Sequence, residues 1–380
     1  MLFTDTIGDL NGVSRFLQDM AENALLRGDD LQVITSTAKQ CPEKGNIHNF
    51  PPQFRMRMPY YQELDLAFPP GDLIESFVNN NLPDLIHIST PGPVGMLGKK
   101  IAKKFGINVI GTYHTDFPAY IRDNTGSKLL KRMTDRWMER FYKKFIHIFS
   151  RSEIYGEIMQ KDIRIAPEKI SYIRPGTNLK RFSPNHRHER VWELYGFSGQ
   201  SVKVLYVGRM TKEKNVPFLL DVWEKLKEQY PDLNVELALI GEGSCHQRAL
   251  ALKSIGVHAL GPVVGDELSH FYASADIFVF PSVTDTLGQV VMESAASGLP
   301  VVVSTVGGPK SLINPERPSG YAVNTGDMDL WVDHLRRLID EKQLRESLGE
   351  SGKSYMQSFP IEHSYEDFWG VHQRYYDEQA

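Results

Sequence analysis

Apolar positions in the first half of the chain gather into short continuous runs that stop at small or turn-forming residues: "LQVITS" (31–36), "LIHISTP" (85–91), "NVIGTYHTD" (108–116), "IHIFS" (146–150) and "ISYIRPGT" (170–177). Runs of this length, rich in β-branched residues, predict strands buried on both faces. Between them, 13–28, 94–105 and 128–145 carry apolar residues at helical spacing, so strand and helix alternate as a parallel sheet requires. The second half repeats the plan. Its strands are expected at "VKVLYVGRM" (202–210), "VELALIGEG" (235–243), "HALGPV" (258–263), "ADIFVFPS" (275–282) and "LPVVVS" (299–304), with helices over 215–229, 245–255, 265–273 and 287–297.

Periodicity lapses over "LKRFSPNHRHER" (179–190), which predicts a linker and a boundary near Ser183. Two α/β domains follow, 1–183 and 184–358, as 380 residues would allow. The aromatic-rich tail, 359–380, reads as a helix packing back towards the first domain. Doubly wound domains bind ligands outside the carboxyl ends of their strands, so the residues that terminate strands are the ones to weigh.

Composition removes several functions. A formal charge of −4 offers nucleic acid no basic footprint, and no nucleic-acid partner is expected. Cys41 and Cys245 lie too far apart for a disulfide framework or a zinc spacing. No apolar stretch approaches the roughly 20 residues that span a bilayer, and the start "MLFTDTIGDLNG" lacks a leader pattern. A cytoplasmic protein is expected.

At the strand ends, Arg209 and Lys214 in "GRMTKEKN" suit a diphosphate, Arg as a planar fork and Lys as a point charge. A solvated basic turn is the alternative. Gly241 and Glu242 in "GEG" permit close backbone approach to a ligand, although any tight turn uses glycine. Gly12 in "TDTIGDLNGVSR" precedes an amphipathic helix whose first amides would meet an anion, or would simply be capped. His114 and Asp116 close the strand of "TYHTDFPAY". Neither G-x-G-x-x-G after a strand nor a P-loop occurs, so redox dinucleotides and NTP hydrolysis lose their signatures. The D-x-D of "TGDMDLWVDHL" reads as a helix start capped by Asp327, and "NHRH" (185–188) as linker; no metal is expected.

Taken in order, "TDT…NGVSR", "TYHTDFPAY", "RPGTNLKRFSP", "GRMTKEKN", "LIGEG", "FVFPS", "DTLGQVVMESAASGLPVV" and "GGP" resemble glycosyltransferase family 4, the retaining enzymes of GT-B fold, over nearly the whole chain. The resemblance implies two Rossmann-like doubly wound domains facing a shared cleft and a hexosyltransferase needing no cofactor beyond its UDP- or GDP-hexose co-substrate. By it, Arg209 and Lys214 hold the diphosphate, and Gly12 approaches from the other domain. Glu293 takes the ribose hydroxyls, Asp285 the sugar hydroxyls, and the amides near Leu287 and Gly288 face the phosphates. His114 borders the reacting centre and Asp116 the acceptor. Departures are Asp285 and Asn178, where relatives usually carry Glu and Asp, and Ser311 near a usual acidic position.

A lipid or glycan acceptor is implied. The segment 128–145, with seven basic residues against two acidic and Leu129, Met133, Trp137, Phe141 and Phe145 near a spacing of four, suits either peripheral contact at an anionic inner membrane face or a sheet-covering helix with a solvated basic face. Rival readings are a nucleotide-sugar epimerase or phosphorylase on a similar scaffold and a sugar-nucleotide-binding module without turnover.

Overall fold

The computed structural model describes residues 1–9, 11–58, 61–188 and 190–378. The chain divides into two compact units, the first comprising 1–9, 13–174 and 362–380 and the second 10–12 and 175–361. In chain order the elements that build the first unit are β1 (Leu2–Thr4), α1 (Gly12–Arg27), β2 (Val33–Thr35), β3 (Ile47–Asn49), β4 (Phe54–Met58), β5 (Tyr61–Phe68), α2 (Gly71–Asn80), β6 (Leu85–Ile88), α3 (Pro93–Phe105), β7 (Asn108–Tyr113), α4 (Phe117–Thr125), α5 (Lys128–Tyr142), β8 (His147–Ser150), α6 (Glu153–Lys161) and β9 (Ile170–Tyr172). Its parallel sheet runs β3-β2-β1-β6-β7-β8-β9. Strand β1 pairs with β2 on one side and β6 on the other, so the winding reverses between β1 and β6.

The second unit contains α7 (Val191–Leu194), β10 (Val202–Val207), α8 (Val216–Gln229), β11 (Val235–Ile240), α9 (His246–Ala251), β12 (Val257–Gly261), α10 (Gly265–Ser274), β13 (Ile277–Phe280), α11 (Gln289–Ala296), β14 (Val301–Ser304), β15 (Gly320–Val323), α12 (Met328–Asp340) and α13 (Lys342–Met356). Its sheet, β12-β11-β10-β13-β14-β15, is also parallel and reverses between β10 and β13. Buried Val204, Leu205, Leu237, Val279 and Val301 pack its strands against Leu219, Trp223 and Trp331 of flanking helices. Each such side chain contributes about 1.5–3 kcal/mol on burial. Asp327 caps α12 by accepting from the Leu330 amide at 3.0 Å, as its sequence position suggests.

Three features depart from the sequence reading. First, the units divide at 174/175 rather than near Ser183. Phe182 belongs to the second core, with its ring edge-on to Tyr272 at 5.5 Å, and Arg181 donates to Gly265 O at 3.2 Å. Second, β4 and β5 form an antiparallel pair outside both sheets. Third, α5 is divided: Met138, Phe141 and Tyr142 are buried, whereas Leu129, Met133 and Trp137 stay 68%, 58% and 41% exposed.

The last helix, α14 (Ile361–Asp377), joins the first unit from residue 362 onward. Phe368, fully buried, meets Phe149 at 5.8 Å and Phe16 at 6.2 Å. His372 Nδ1 lies 2.7 Å from Phe368 O and so carries a proton. Its Nε2 then accepts from His87 Nδ1 at 3.0 Å, and His87 Nε2 accepts from the Thr112 hydroxyl at 2.9 Å. This relay requires both imidazoles neutral. Burial holds His372 down to about 3 and His87 well below its usual value.

Candidate active site

The reversal point of the second sheet places two loops side by side, one leaving β10 and one leaving β13. Backbone hydrogen bonds extend the β10–β11 pairing past the strand ends: Gly208 N to Ile240 O (2.9 Å), Met210 N to Glu242 O (2.7 Å) and Cys245 N to Met210 O (2.8 Å). The approach is close enough to explain the glycine. Gly241 has φ +136°, and a Cβ there would stand 2.1 Å from Gly208 O. Gly241 and Glu242 thus hold the Arg209 loop through their backbones. Beneath it, the buried Tyr206 hydroxyl donates to Arg209 O at 2.8 Å.

Both cations of this loop already face carboxylates. Arg209 Nη2 pairs with Glu213 Oε1, and Lys214 Nζ lies 2.8 and 2.9 Å from the two Asp285 oxygens. Asp285 is held from behind, because its carbonyl accepts from Gly308 N at 2.8 Å. A Cβ on Gly308 would come 1.9 Å from Thr286 O, so the "GGP" turn and the loop after β13 press backbone to backbone. Gly288, left-handed at φ 82°, turns the chain from Leu287 into α11. In α11, Glu293 is 3% exposed and accepts from the Tyr272 hydroxyl at 3.0 Å. Gly12, which groups with this unit, lies beside the same helix: a Cβ there would stand 3.7 Å from Gln289 Cβ.

In the first unit, His114 follows β7, its Nε2 3.0 Å from the Ser89 hydroxyl and its ring edge-on to Phe16 at 5.9 Å. Burial, reinforced by the charge of Arg151, pulls His114 down to about 3, so the imidazole is neutral at physiological pH. Asp116 caps α4, accepting from Ala119 N at 3.1 Å and from the Tyr113 hydroxyl at 3.3 Å. Burial raises its pKa.

The sequence reading brought forward Arg209, Lys214, Asp285, Leu287, Gly288, Glu293, Gly241, Glu242 and Gly12, and all belong to the second unit. It missed Glu213, Tyr206 and Tyr272 there, and Ser89 and Arg151 in the first. Glu213 stands four residues after Arg209, a spacing that could have drawn notice. Tyr272 is joined to Glu293 only through the fold. Two departures from the family pattern keep local roles: Asn178 Oδ1 caps its turn by accepting from Lys180 N and Arg181 N at 3.2 and 3.0 Å, and Ser311 donates to Gly308 O at 2.7 Å.

Two parallel-sheet Rossmann-like units, the second with a cation-bearing loop and buried carboxylate at its reversal point, define a glycosyltransferase of GT-B fold. Profiles of known families agree: "Glycosyltransferase Family 4" matches residues 10–181 and "Glycosyl transferases group 1" residues 201–341. Among curated relatives, a sulfoquinovosyl transferase of Arabidopsis thaliana is 31% identical over 91% of this chain and 66% of its own length. A GDP-mannose-dependent alpha-mannosyltransferase of Mycobacterium tuberculosis is 26% identical over 93% and 90%. The chain thus spans about two-thirds of the first relative's length. Among solved structures, sucrose-phosphate synthase from Thermosynechococcus elongatus (TM-score 0.73, 19% identity, 97% and 94% coverage) and Anabaena HepE in complex with UDP and glucose (0.73, 16%, 98% and 98%) share the fold. The chain belongs to glycosyltransferase family 4 and is an enzyme of the hexosyltransferase class.

Proposed function

We propose that the protein is a retaining, metal-independent hexosyltransferase that moves a glucose- or mannose-type hexose from a UDP- or GDP-sugar to a hydroxyl of a lipid or glycan acceptor. The observation that carries the reading is the loop after β10, where Arg209 pairs with Glu213 and Lys214 with Asp285 at the sheet's reversal point. A diphosphate arriving there exchanges places with Glu213 and Asp285. As the anomeric C–O bond breaks, negative charge grows on the leaving nucleoside diphosphate, and two fixed cations stabilise that charge selectively in the transition state. Asp285, released from Lys214, turns to the sugar hydroxyls, and Glu293, aimed by Tyr272, takes the ribose. His114, neutral, offers the reacting centre a hydrogen-bonding group without an opposing charge.

The names of relatives support both donor classes: one solved neighbour holds UDP and glucose, and one curated relative is GDP-mannose-dependent. Calorimetric and thermal-shift titration with UDP, GDP and their hexose conjugates in EDTA decides between them, since a bound ligand stabilises by mass action. Binding without metal that is lost in Arg209→Ala and Glu293→Ala supports the site. Binding only with metal, or none, removes it. Release of nucleoside diphosphate only when an acceptor is present separates transfer from epimerisation and from a module without turnover.

Peripheral attachment at the inner membrane face is part of the proposal. Among the described residues no helix is long and apolar enough to cross a membrane. The exposed Leu129, Met133 and Trp137 of α5, amid its basic residues, support a surface contact. Flotation with phosphatidylglycerol vesicles should bind the protein in low salt and lose it in Trp137→Ala; flotation indifferent to salt and to that variant removes the contact.

A further inference from the structure

Ser89, His114 and Arg151 follow three neighbouring strands, β6, β7 and β8, of the first sheet. Phe16 of α1 gathers two of them, with the His114 ring edge-on at 5.9 Å and the Arg151 guanidinium carbon 4.2 Å over its face. Several arginines elsewhere in this chain meet carboxylates: Arg174 meets Asp367, Arg248 meets Asp221 and Glu224, and Arg209 meets Glu213. Arg151 forms no such ion pair with a described residue. Its Nε is closed off from solvent without a hydrogen-bond partner. The terminal nitrogens are not enclosed in this way and donate to no described residue. The charge of Asp19 reaches Arg151, but that carboxylate already pairs with Arg15 at 3.2 Å.

A guanidinium drawn out of bulk water and left without an anion is unfavourable. Contact with an aromatic face offsets part of this but leaves the N–H edge of the fork unused. That edge matches two oxygens of a sulfonate, phosphate or carboxylate. The neighbouring imidazole, uncharged, and the Ser89 hydroxyl provide further hydrogen-bonding groups without repelling an anion.

We infer that Arg151, with His114 and Ser89 beside it, forms an oxyanion subsite at the strand ends of the first unit, which takes an acidic substituent carried by one of the two substrates. The transferred hexose and the acceptor are both possible sources of that group. Assigning the group to a substrate rests on the transferase reading; the subsite itself does not.

The test therefore has two arms, each on the full chain. In the first, inorganic sulfate is titrated at constant ionic strength while the His114 imidazole is followed by 15N-edited NMR, assigned through His114→Gln. A saturable shift in the wild type, lost in Arg151→Gln and kept in weaker form in Arg151→Lys, is expected. In the second, kcat/KM is compared for UDP-6-sulfo-6-deoxyglucose against UDP-glucose and for phosphatidylglycerol, which carries both an oxyanion and free hydroxyls, against diacylglycerol.

For the pair that supplies the oxyanion, the acidic-over-neutral ratio should fall by roughly 10- to 150-fold in Arg151→Gln, the range for removing a charge-assisted hydrogen bond. Arg151→Lys should recover part of it. A fall confined to the donor pair assigns the group to the hexose, and one confined to the acceptor pair assigns it to the acceptor. The inference is overturned if sulfate leaves His114 unmoved, if the shift survives in Arg151→Gln, or if every ratio stays constant while turnover proceeds. If no sugar nucleotide is turned over but the sulfate response needs Arg151, the subsite stands and the transferase reading falls.

Discussion

The ends of β10 and β13, at the reversal point of the second sheet, and the ends of β6 to β8, which run outward from the reversal point of the first, belong to two sheets of one architecture, yet they are prepared differently. In the second unit the charges arrive paired, Arg209 with Glu213 and Lys214 with Asp285. In the first the residues are a neutral imidazole and a guanidinium without a carboxylate at ion-pair distance among the described residues. A paired site is held in shape before its ligand arrives, and the ligand must compete with carboxylates to enter. An unpaired one meets its ligand with less competition and leaves a buried donor unsatisfied in the meantime, a penalty of about 1–3 kcal/mol. The shared fold fixes where the chemistry stands and leaves its electrostatic preparation to individual side chains.

Four changes would break or sharpen this contrast. The largest is Gly308→Ala, which drives a Cβ into Thr286 O at 1.9 Å. Displacing backbone there should cost about 3 kcal/mol and lower the thermal midpoint; an unchanged midpoint would mean that the loop carrying Asp285 is not held as described. Next, Arg209→Ala should weaken nucleoside diphosphate binding by roughly 30- to 150-fold, the loss of a charge-assisted contact. Calorimetry showing wild-type affinity would leave the second unit without its principal anion contact.

Third is pH. His87 and His372 are held below their ordinary value by burial, so the unfolded chain binds more protons than the folded one wherever pH is below about 6.5. Their contribution is complete above that pH and is lost as pH falls towards about 3, where His372 titrates in the fold. At pH 5 the loss for His372 alone is about 2 kcal/mol. Asp5, raised to about 6 by burial, opposes this as a single group between about pH 6 and 4. Hydrogen exchange, corrected for intrinsic rates, should therefore show 1–174 loosening before 175–361 on acidification. Loosening in the reverse order would contradict the buried neutral relay.

The smallest effect is expected from Glu213→Gln. With its competitor for Arg209 uncharged, a nucleoside diphosphate should bind about 5-fold tighter, or about 1 kcal/mol. Weaker binding in calorimetry would mean that Glu213 positions Arg209 more than it competes for it.

Much of the scaffold was legible because strands buried on both faces leave continuous apolar runs, and "VKVLYV" and "LIHI" are of that kind. The pair β4 and β5 was not, because "FRMRM" and "YQELDLAF" alternate polar and apolar residues outside the sheets. Nor was β15, whose "GYAV" is a short stretch at the sheet edge. Arg209, Asp285 and Glu293 could be picked out as strand-end or helix-start residues in a recognisable order. Glu213, four residues after Arg209, was open to the same reading, whereas Tyr272 was not, since its partnership with Glu293 depends on which side chains the fold brings within about 3 Å. Arg151 escaped for a similar reason: in "FSRSEI" it reads as a surface charge, and only the ring of Phe16 and the enclosed Nε mark it out.

The first unit contains residues 362–380 as well as 1–9 and 13–174, and this sets an order on assembly during synthesis. Its opening strands emerge first, yet the face of β6, β7 and β8 that Phe368 and His372 cover stays bare until the tail is made. The second unit is complete once residue 361 has left the ribosome. The unit that begins first along the chain is therefore the last for which every residue has been made. Truncation at 361 would leave Phe149 and His87 uncovered, an apolar surface of the kind that chaperones retain.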